Sequence, residues 1–217
     1  MNEIQIYYAV SSNITNSLKS ENIEIDPLVR LGYKTNNQLL NDVKKNTNFC
    51  RDEESINMIH LLSSMSSSIL LYALLEDKVI GVLTFMFNKN IKGEKIINFD
   101  AICSPEEFKG LGVGNKLIDT LIRIGKFNDI KYINLECKGR VMKYYKNKFG
   151  FNVSEQNTTY DSDADSDDEG EPYYHMTLDL SQVSGGKRKR KRKPKRETKR
   201  NKKSKRKQTR RKQIRKN

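Results

Sequence analysis

Lys109-Gly110-Leu111-Gly112-Val113-Gly114 sets three glycines at alternate positions, between an apolar strand-like run over 95–103 and an amphipathic segment. The chemistry this suits is the binding of a phosphate group. The first amides of a helix have no partner inside the helix and lie at the positive end of its dipole. Glycine removes the β-carbons that would hold a phosphate away from them. A nucleotide P-loop is excluded, because the chain has no two glycines with four residues between them followed by Lys-Ser/Thr. A dinucleotide fingerprint is excluded as well. Counted from Gly110 its third glycine falls one residue early, and counted from Gly112 it is missing.

The flanking pattern supplies the elements that must hold this loop. Val113, Leu117, Ile118, Leu121, Ile122 and Gly125 give a helix one apolar face, with Asn115, Lys116, Asp119, Arg123 and Lys126 opposite. Residues 132–137 read as a further strand and 141–148 as a further helix, closed by Phe149-Gly150-Phe151. Upstream, the apolar runs 69–75 and 79–87 are joined by Glu76-Asp77-Lys78, a hairpin signature. Residues 3–10 predict a first strand, and 11–32 loops with at most a short helix. Two helices are predicted over 37–46 and 53–65, and the last two strands over 152–160 and 173–180. His60 falls on or beside the apolar face of its segment, where a packed or surface histidine is expected.

The loop, read as Gln/Arg-x-x-Gly-x-Gly/Ala with Lys109 in the first place, resembles the pyrophosphate-binding loop of the GNAT superfamily of acetyl-CoA-dependent N-acetyltransferases. The tyrosine-bearing helix ending in Gly150-Phe151 is similar to the second hallmark of that family. The order and spacing of elements match it from about residue 3 to about residue 180. Phe99-Asp-Ala-Ile102, leading into the loop, is similar to the histone-acetylating branch. The resemblance implies an α+β, three-layer fold: a mixed central sheet of about six or seven strands flanked by helices. It implies acetyl-CoA as co-substrate, no metal, and direct transfer of the acetyl group to an amine.

The same resemblance distributes roles. Lys109, Gly110, Leu111, Gly112, Val113 and Gly114, continued into Asn115 and Lys116, would grip the pyrophosphate. The strand edge at Ile102, Cys103 and Ser104 would pair with the pantetheine arm, and a backbone amide there would stabilise the developing oxyanion. Tyr145 matches the general-acid tyrosine, although it stands five residues before Gly150 where many members have four, and Lys146 takes that place. Its alternative is packing of Tyr144 and Tyr145 against the sheet. The branch's basic glutamate corresponds to Ile96 here. Asp100 and Glu136 are the carboxylates available instead, and burial could raise either toward neutrality. The usual Asn-x-x-Ala appears as Lys138 with Val141.

Charge divides the chain. Residues 187–217 hold 21 Lys/Arg and one acid, a net of +20; the whole chain carries +14, so the first 186 residues carry −6. Residues 1–180 suffice for one core, while 181–217, hinged at Gly185-Gly186, cannot bury enough apolar surface to offset chain entropy and are expected to be disordered. The tail is an electrostatic footing for nucleic acid through 187–217, with no aromatic residue to stack on bases. It also suits nuclear import and is similar to tails of large nucleocytoplasmic DNA virus proteins, so nucleus, virus factory or virion is expected. Residues 161–171 hold seven acids and no base, an acidic loop insertion. It could be a plain surface insertion, concentrate a cationic acceptor such as a histone or other basic protein, or hold the tail. Cys50, Cys103 and Cys137 form no Cys-x-x-Cys pair or Cys/His cluster, and reduced core cysteines in an intracellular, soluble protein are expected. No basic and apolar leader or run of about 18 apolar residues appears, so no membrane partner is expected. The rival reading is a non-catalytic fold of the same family that binds nucleic acid through its tail.

Overall fold

The computed structural model describes residues 3–10, 14, 18, 23–25, 29–46, 49–50, 58–159 and 172–183, with the backbone alone over 155–159. These belong to one compact unit, Met1–Val183. The predictions for the acidic segment 161–171 and the basic tail lie outside the described residues.

Eight strands form one mixed sheet in the order β2-β1-β3-β4-β5-β6-β8-β7. They are β1 Gln5–Ala9, β2 Arg30–Leu31, β3 Ile69–Leu75, β4 Lys78–Lys89, β5 Lys95–Cys103, β6 Tyr132–Lys138, β7 Asn152–Thr159 and β8 Tyr173–Asp179. The four α-helices among the described residues are α1 Asn36–Lys45, α2 Met58–Ser67, α3 Val113–Phe127 and α4 Gly139–Phe149. The β1/β2 and β5/β6 pairs are parallel and the others antiparallel. The strand count exceeds the expected six or seven through β2, a two-residue strand inside a segment read as loop. Its alternation is too short to show in sequence, and only pairing with β1 reveals it.

The continuous apolar run of β3 follows from burial on both sides. Ile69, Leu71 and Ala73 enter the core under α3 and α4, while Leu70, Tyr72 and Leu74 enter a second core under α1 and α2. The β3–β4 turn is Glu76-Asp77, with φ of 51° and 62°. Two left-handed residues match the twist of a two-residue hairpin, which draws Lys78 into the strand. Helix α1 opens with a capping box: Gln38 N–H donates to Thr35 Oγ1 (3.3 Å) and Thr35 N–H to Gln38 Oε1 (2.8 Å). Helix α4 closes at Gly150, whose φ of 89° lets Phe151 N–H reach back to the Tyr145 carbonyl (3.4 Å). The wholly buried Phe151 ring then lies 5.8 Å from that of Tyr145.

The cysteines differ from expectation. Cys50 and Cys103 are joined by a disulfide, their Cα atoms 5.6 Å apart, and Cys137 is buried. The 53-residue separation of the bonded pair hid it from a reading based on spacing. Among the described residues no helix is long and apolar enough to cross a membrane.

Candidate active site at the parting of two parallel strands

Parallel β5 and β6 are paired from Ile96↔Tyr132 to Phe99↔Leu135, and no further. Both continue, to Cys103 and Lys138, but they part at Asp100 and Glu136. Beyond that point β5 stays paired with β4 on its other side, Thr84↔Ala101 through Val82↔Cys103. Its edge facing β6 is therefore unpaired over 100–103, a ready strand edge for an extended ligand.

The glycine loop hangs from the end of this edge. Pro105 caps a single 3-10 turn, Glu106–Phe108, with Phe108 N–H donating to the Pro105 carbonyl (3.1 Å) and Lys109 N–H to that of Glu106 (3.0 Å). Gly110 and Gly112 then adopt φ of 87° and 77°, a region closed to most L-residues. A β-carbon on Gly110 would meet nothing within 4 Å, so the loop presents bare backbone to open space. Gly112 is the N-cap of α3 and brings no side chain to it. The first α3 hydrogen bond runs from Lys116 N–H to the Gly112 carbonyl (3.0 Å), so the helix itself leaves the amides of Val113, Gly114 and Asn115 unused. Val113, Gly114 and Asn115 thus form an uncapped helix end of partial positive charge. That is what an anionic phosphate fits.

Two contacts tie this helix end to its neighbours. A β-carbon on Gly114 would sit 3.6 Å from Ile102 Cδ1 and 3.8 Å from the Tyr144 hydroxyl, and Tyr144 O–H donates to Asn115 Oδ1 (2.8 Å). Strand edge, loop and α4 therefore converge. The other contact is a residue that sequence reasoning passed over. Gly81 on β4 lies under the start of α3, where a β-carbon would come 2.5 Å from Val113 Cγ1. An isolated glycine inside an apolar strand was the available signal of a close approach. Lys116 reaches away from the loop, its Nζ donating to the Ile4 carbonyl (3.3 Å), and Lys109 pairs with Glu106 at 3.7 Å.

Tyr145 lies on the same side of the sheet, 92% buried, with its ring edge-on to Phe99 at 6.1 Å. Phe99 is the last β5 residue paired with β6, so the phenol sits where the strands part. Burial, helped by Cys137 and Tyr144, pushes its pKa far above the ordinary 10.0. The phenol keeps its proton as a result. Lys146, at the spacing usual for the family, is exposed; Tyr145 and Phe149 take the inward positions of α4.

Asp100 and Glu136 lie on the opposite sheet face. On β6 the residues Ile133, Leu135 and Cys137 point into the α3/α4 core, which sends Glu136 the other way. On β5 Asp100 follows inward-facing Phe99 and so turns the other way by ordinary alternation; the bulge, where adjacent Thr84 and Phe85 oppose Ala101 and Phe99, keeps Ala101 on that same face. Each carboxylate meets one of the two histidines of the chain. His60 Nε2 is 3.3 Å from Asp100 Oδ1, and His175 Nδ1 is 3.0 Å from Glu136 Oε1. His175 was not singled out in sequence, because cross-strand pairing with Glu136 depends on β6/β8 register. Among the described residues no third His, Cys, Asp or Glu joins either pair to make a metal-binding group. Ile96, in the place of the branch's glutamate, is buried.

The chain matches the family described as Acetyltransferase (GNAT) family over residues 37–151. No curated protein sequence matches it. Among solved structures it is similar to a putative acetyltransferase of the GNAT family from Desulfovibrio desulfuricans, with 9% identity over 82% of this chain and 99% of that one (TM-score 0.51). It is also similar to Chaetomium thermophilum Naa20 in complex with a bisubstrate analogue, with 16% identity over 65% and 84% (TM-score 0.50). Arabidopsis thaliana Naa50 in complex with a bisubstrate analogue aligns at 16% identity over 81% and 97% (TM-score 0.47). At these identities the likeness concerns the fold. The uncapped glycine loop before α3, the parting of β5 and β6 and the match over more than half of its length agree: the chain belongs to the acetyltransferase (GNAT) family.

Proposed function

We propose that this protein transfers the acetyl group of acetyl-CoA to a primary amine by direct attack. The observation that carries this is the parting of β5 and β6, with an uncapped helix end and a protonated tyrosine on one face and two carboxylates on the other. Acetyl-CoA supplies the reactive thioester. The amides of Gly110, Gly112, Val113, Gly114 and Asn115 hold its pyrophosphate, as bare helix-end donors hold phosphates generally, while that of Leu111 already donates to the Phe108 carbonyl (3.3 Å). The open edge at Ile102, Cys103 and Ser104 orients the pantetheine, and one amide there donates to the carbonyl oxygen as charge develops on it. Tyr145 donates its proton to the leaving sulfur. Asp100 or Glu136 takes a proton from the ammonium, which cannot attack while charged. Among acceptors the reading covers a protein lysine or N-terminus, a polyamine and a small amine.

The 187–217 segment adds nucleic acid as a partner, on the observation that 21 of its 31 residues are Lys or Arg. Its footing is phosphate charge, so affinity for duplex DNA of any sequence should fall steeply as salt rises. A flat salt dependence would remove this partner.

Calorimetric titration of acetyl-CoA into the full chain tests the main reading, beside Gly112→Glu. The substituted residue would carry a carboxylate into the cradle at a φ of 77°. Binding by the parent with at least about a 100-fold loss in the variant is expected, from charge repulsion and lost amide contacts together. A folded parent without affinity would favour the non-catalytic reading.

A further inference from the structure

One buried polar chain has no part in the roles above. Ser64 on α2 donates to Thr84 Oγ1 (2.5 Å), and Ala101 N–H on β5 donates to the same oxygen (3.0 Å). All three residues are buried. Ala101 is the residue just after the bulge, where the ladder is disturbed, and the Thr84 hydroxyl supplies its amide with an acceptor. A polar trio in a core otherwise built of Leu61, Met65, Leu70, Tyr72 and Val82 fixes geometry, since each hydroxyl tolerates only a narrow set of positions. It locks α2 over the bulge.

His60 stands four residues before Ser64 and so lies one helical turn along the same face. The turn that Ser64 pins therefore brings His60 over Asp100, at 3.3 Å. Asp100 is the extra residue of that bulge and, next to inward-facing Phe99, points away from the α3/α4 core at the point where β5 leaves β6. Both side chains are partly open, 53% for His60 and 38% for Asp100, so a solute and water can reach them.

We infer that His60 and Asp100 act as one proton-accepting unit for the incoming amine, with Asp100 as the group that touches it and His60 as the positioning and relay residue behind. This rests on the acetyl-transfer reading and chooses between its two carboxylates. An ammonium nitrogen forming an amide must lose two protons. The first passes to the Asp100 carboxylate and on to His60 Nε2 while the proton on Nδ1 goes out to water, which frees the lone pair for attack on the thioester carbon. The second passes to bulk water as the C–S bond breaks, while Tyr145 protonates the departing sulfur and takes one proton back from solvent. One proton is released per amide formed, and no oxidant or metal is called for.

The test is steady-state kinetics of the full chain, following CoA release with a lysine-containing peptide and with spermidine as acceptors. The variants are His60→Gln, His60→Ala, Asp100→Asn, the double variant His60→Gln/Asp100→Asn, and Glu136→Gln. Acetyl-CoA affinity and melting temperature are measured on each. His60→Gln and Asp100→Asn should each lower kcat by about 10–100-fold, with amine KM and acetyl-CoA affinity within about twofold of the parent. The double variant should be no slower than the slower single, as expected of groups acting in series. Imidazole in the buffer should restore His60→Ala and leave Asp100→Asn unchanged. Folded variants within about twofold of parental kcat, a change in KM alone, or a loss confined to Glu136→Gln would overturn the inference. A parent that binds acetyl-CoA and turns over neither amine also overturns it, and leaves the cofactor site standing. A parent that does not bind acetyl-CoA fails the reading underneath instead.

Discussion

The two faces of the sheet at the parting of β5 and β6 are built on different principles. The α3/α4 face is made of local chain: the end of β5, the loop, α3, β6 and α4 follow one another within about fifty residues, Phe99 to Phe151. Its groups are backbone amides and one phenol, set by glycines and by a helix end. The α1/α2 face is made of distant chain, with His60 brought to Asp100 and Ser64 to Thr84 and Ala101. Its groups are ionisable side chains, set by a bulge and a buried hydroxyl. On the acetyl-transfer reading, the difference separates how the two halves of such a site change. A site made of main-chain donors survives side-chain change, whereas a site of paired side chains is remade by a few substitutions.

The comparison can be broken most directly at Tyr145, the one side chain among the α3/α4-face groups. Tyr145→Phe should lower kcat by about 100-fold if the phenol is the proton donor to sulfur, with acetyl-CoA affinity unchanged. Equal activity would leave it as a packing residue edge-on to Phe99 and Phe151. Next comes Gly81→Val, which loads a branched side chain where a β-carbon alone comes 2.5 Å from Val113. Overpacking should cost about 1–3 kcal/mol by denaturant unfolding. Because α3 must lift, acetyl-CoA should bind about tenfold more weakly, about 1.4 kcal/mol. Stability lost without affinity lost would show that the helix end is not set by Gly81.

Thr84→Val sharpens the other side. It keeps the shape but strips the acceptor of Ala101 N–H and Ser64 Oγ, for an expected cost of about 1–3 kcal/mol. Turnover should fall with acetyl-CoA affinity intact, the reverse of the Gly81 result. The smallest effect is on alkaline stability. The Tyr145 pKa is raised in the folded state, so its neutral form is favoured there and the contribution is complete below pH 10. As pH rises past the unfolded value, the unfolded chain gives up a proton that the folded chain keeps, and stability falls by about 1.4 kcal/mol per pH unit. Tyr145→Phe should make the unfolding midpoint shallower between pH 9 and 11; an unchanged slope would place the titration on other tyrosines.

Legibility followed the same division. The helix α3, the β3–β4 hairpin and the closing Gly150-Phe151 could be read directly, because each is dictated by periodicity or by a residue with unusual backbone freedom. The inward place of Tyr145 over Lys146 was readable only in part, since it needs the helix phase fixed by Tyr145 and Phe149 packing together. Gly81 carried a signal that went unused. His60 is exposed, as a packed-or-surface histidine was expected to be, but its place beside Asp100 and that of Ser64 beside Thr84 had no mark in the sequence. The Cys50–Cys103 bond and the strand β2 had no local mark at all.

The sequence by itself determined the order of elements, the apolar faces of the helices, the bare glycine loop at the start of α3 and the charge contrast of the 187–217 segment. These depend on neighbours within a few turns of chain, where sterics and periodicity act alone. Tertiary structure decided which edge of β5 is open, which face each carboxylate meets and which histidine stands behind it. Those follow from register and from one extra residue at Asp100, and a shift of one residue in a strand turns every later side chain to the opposite face.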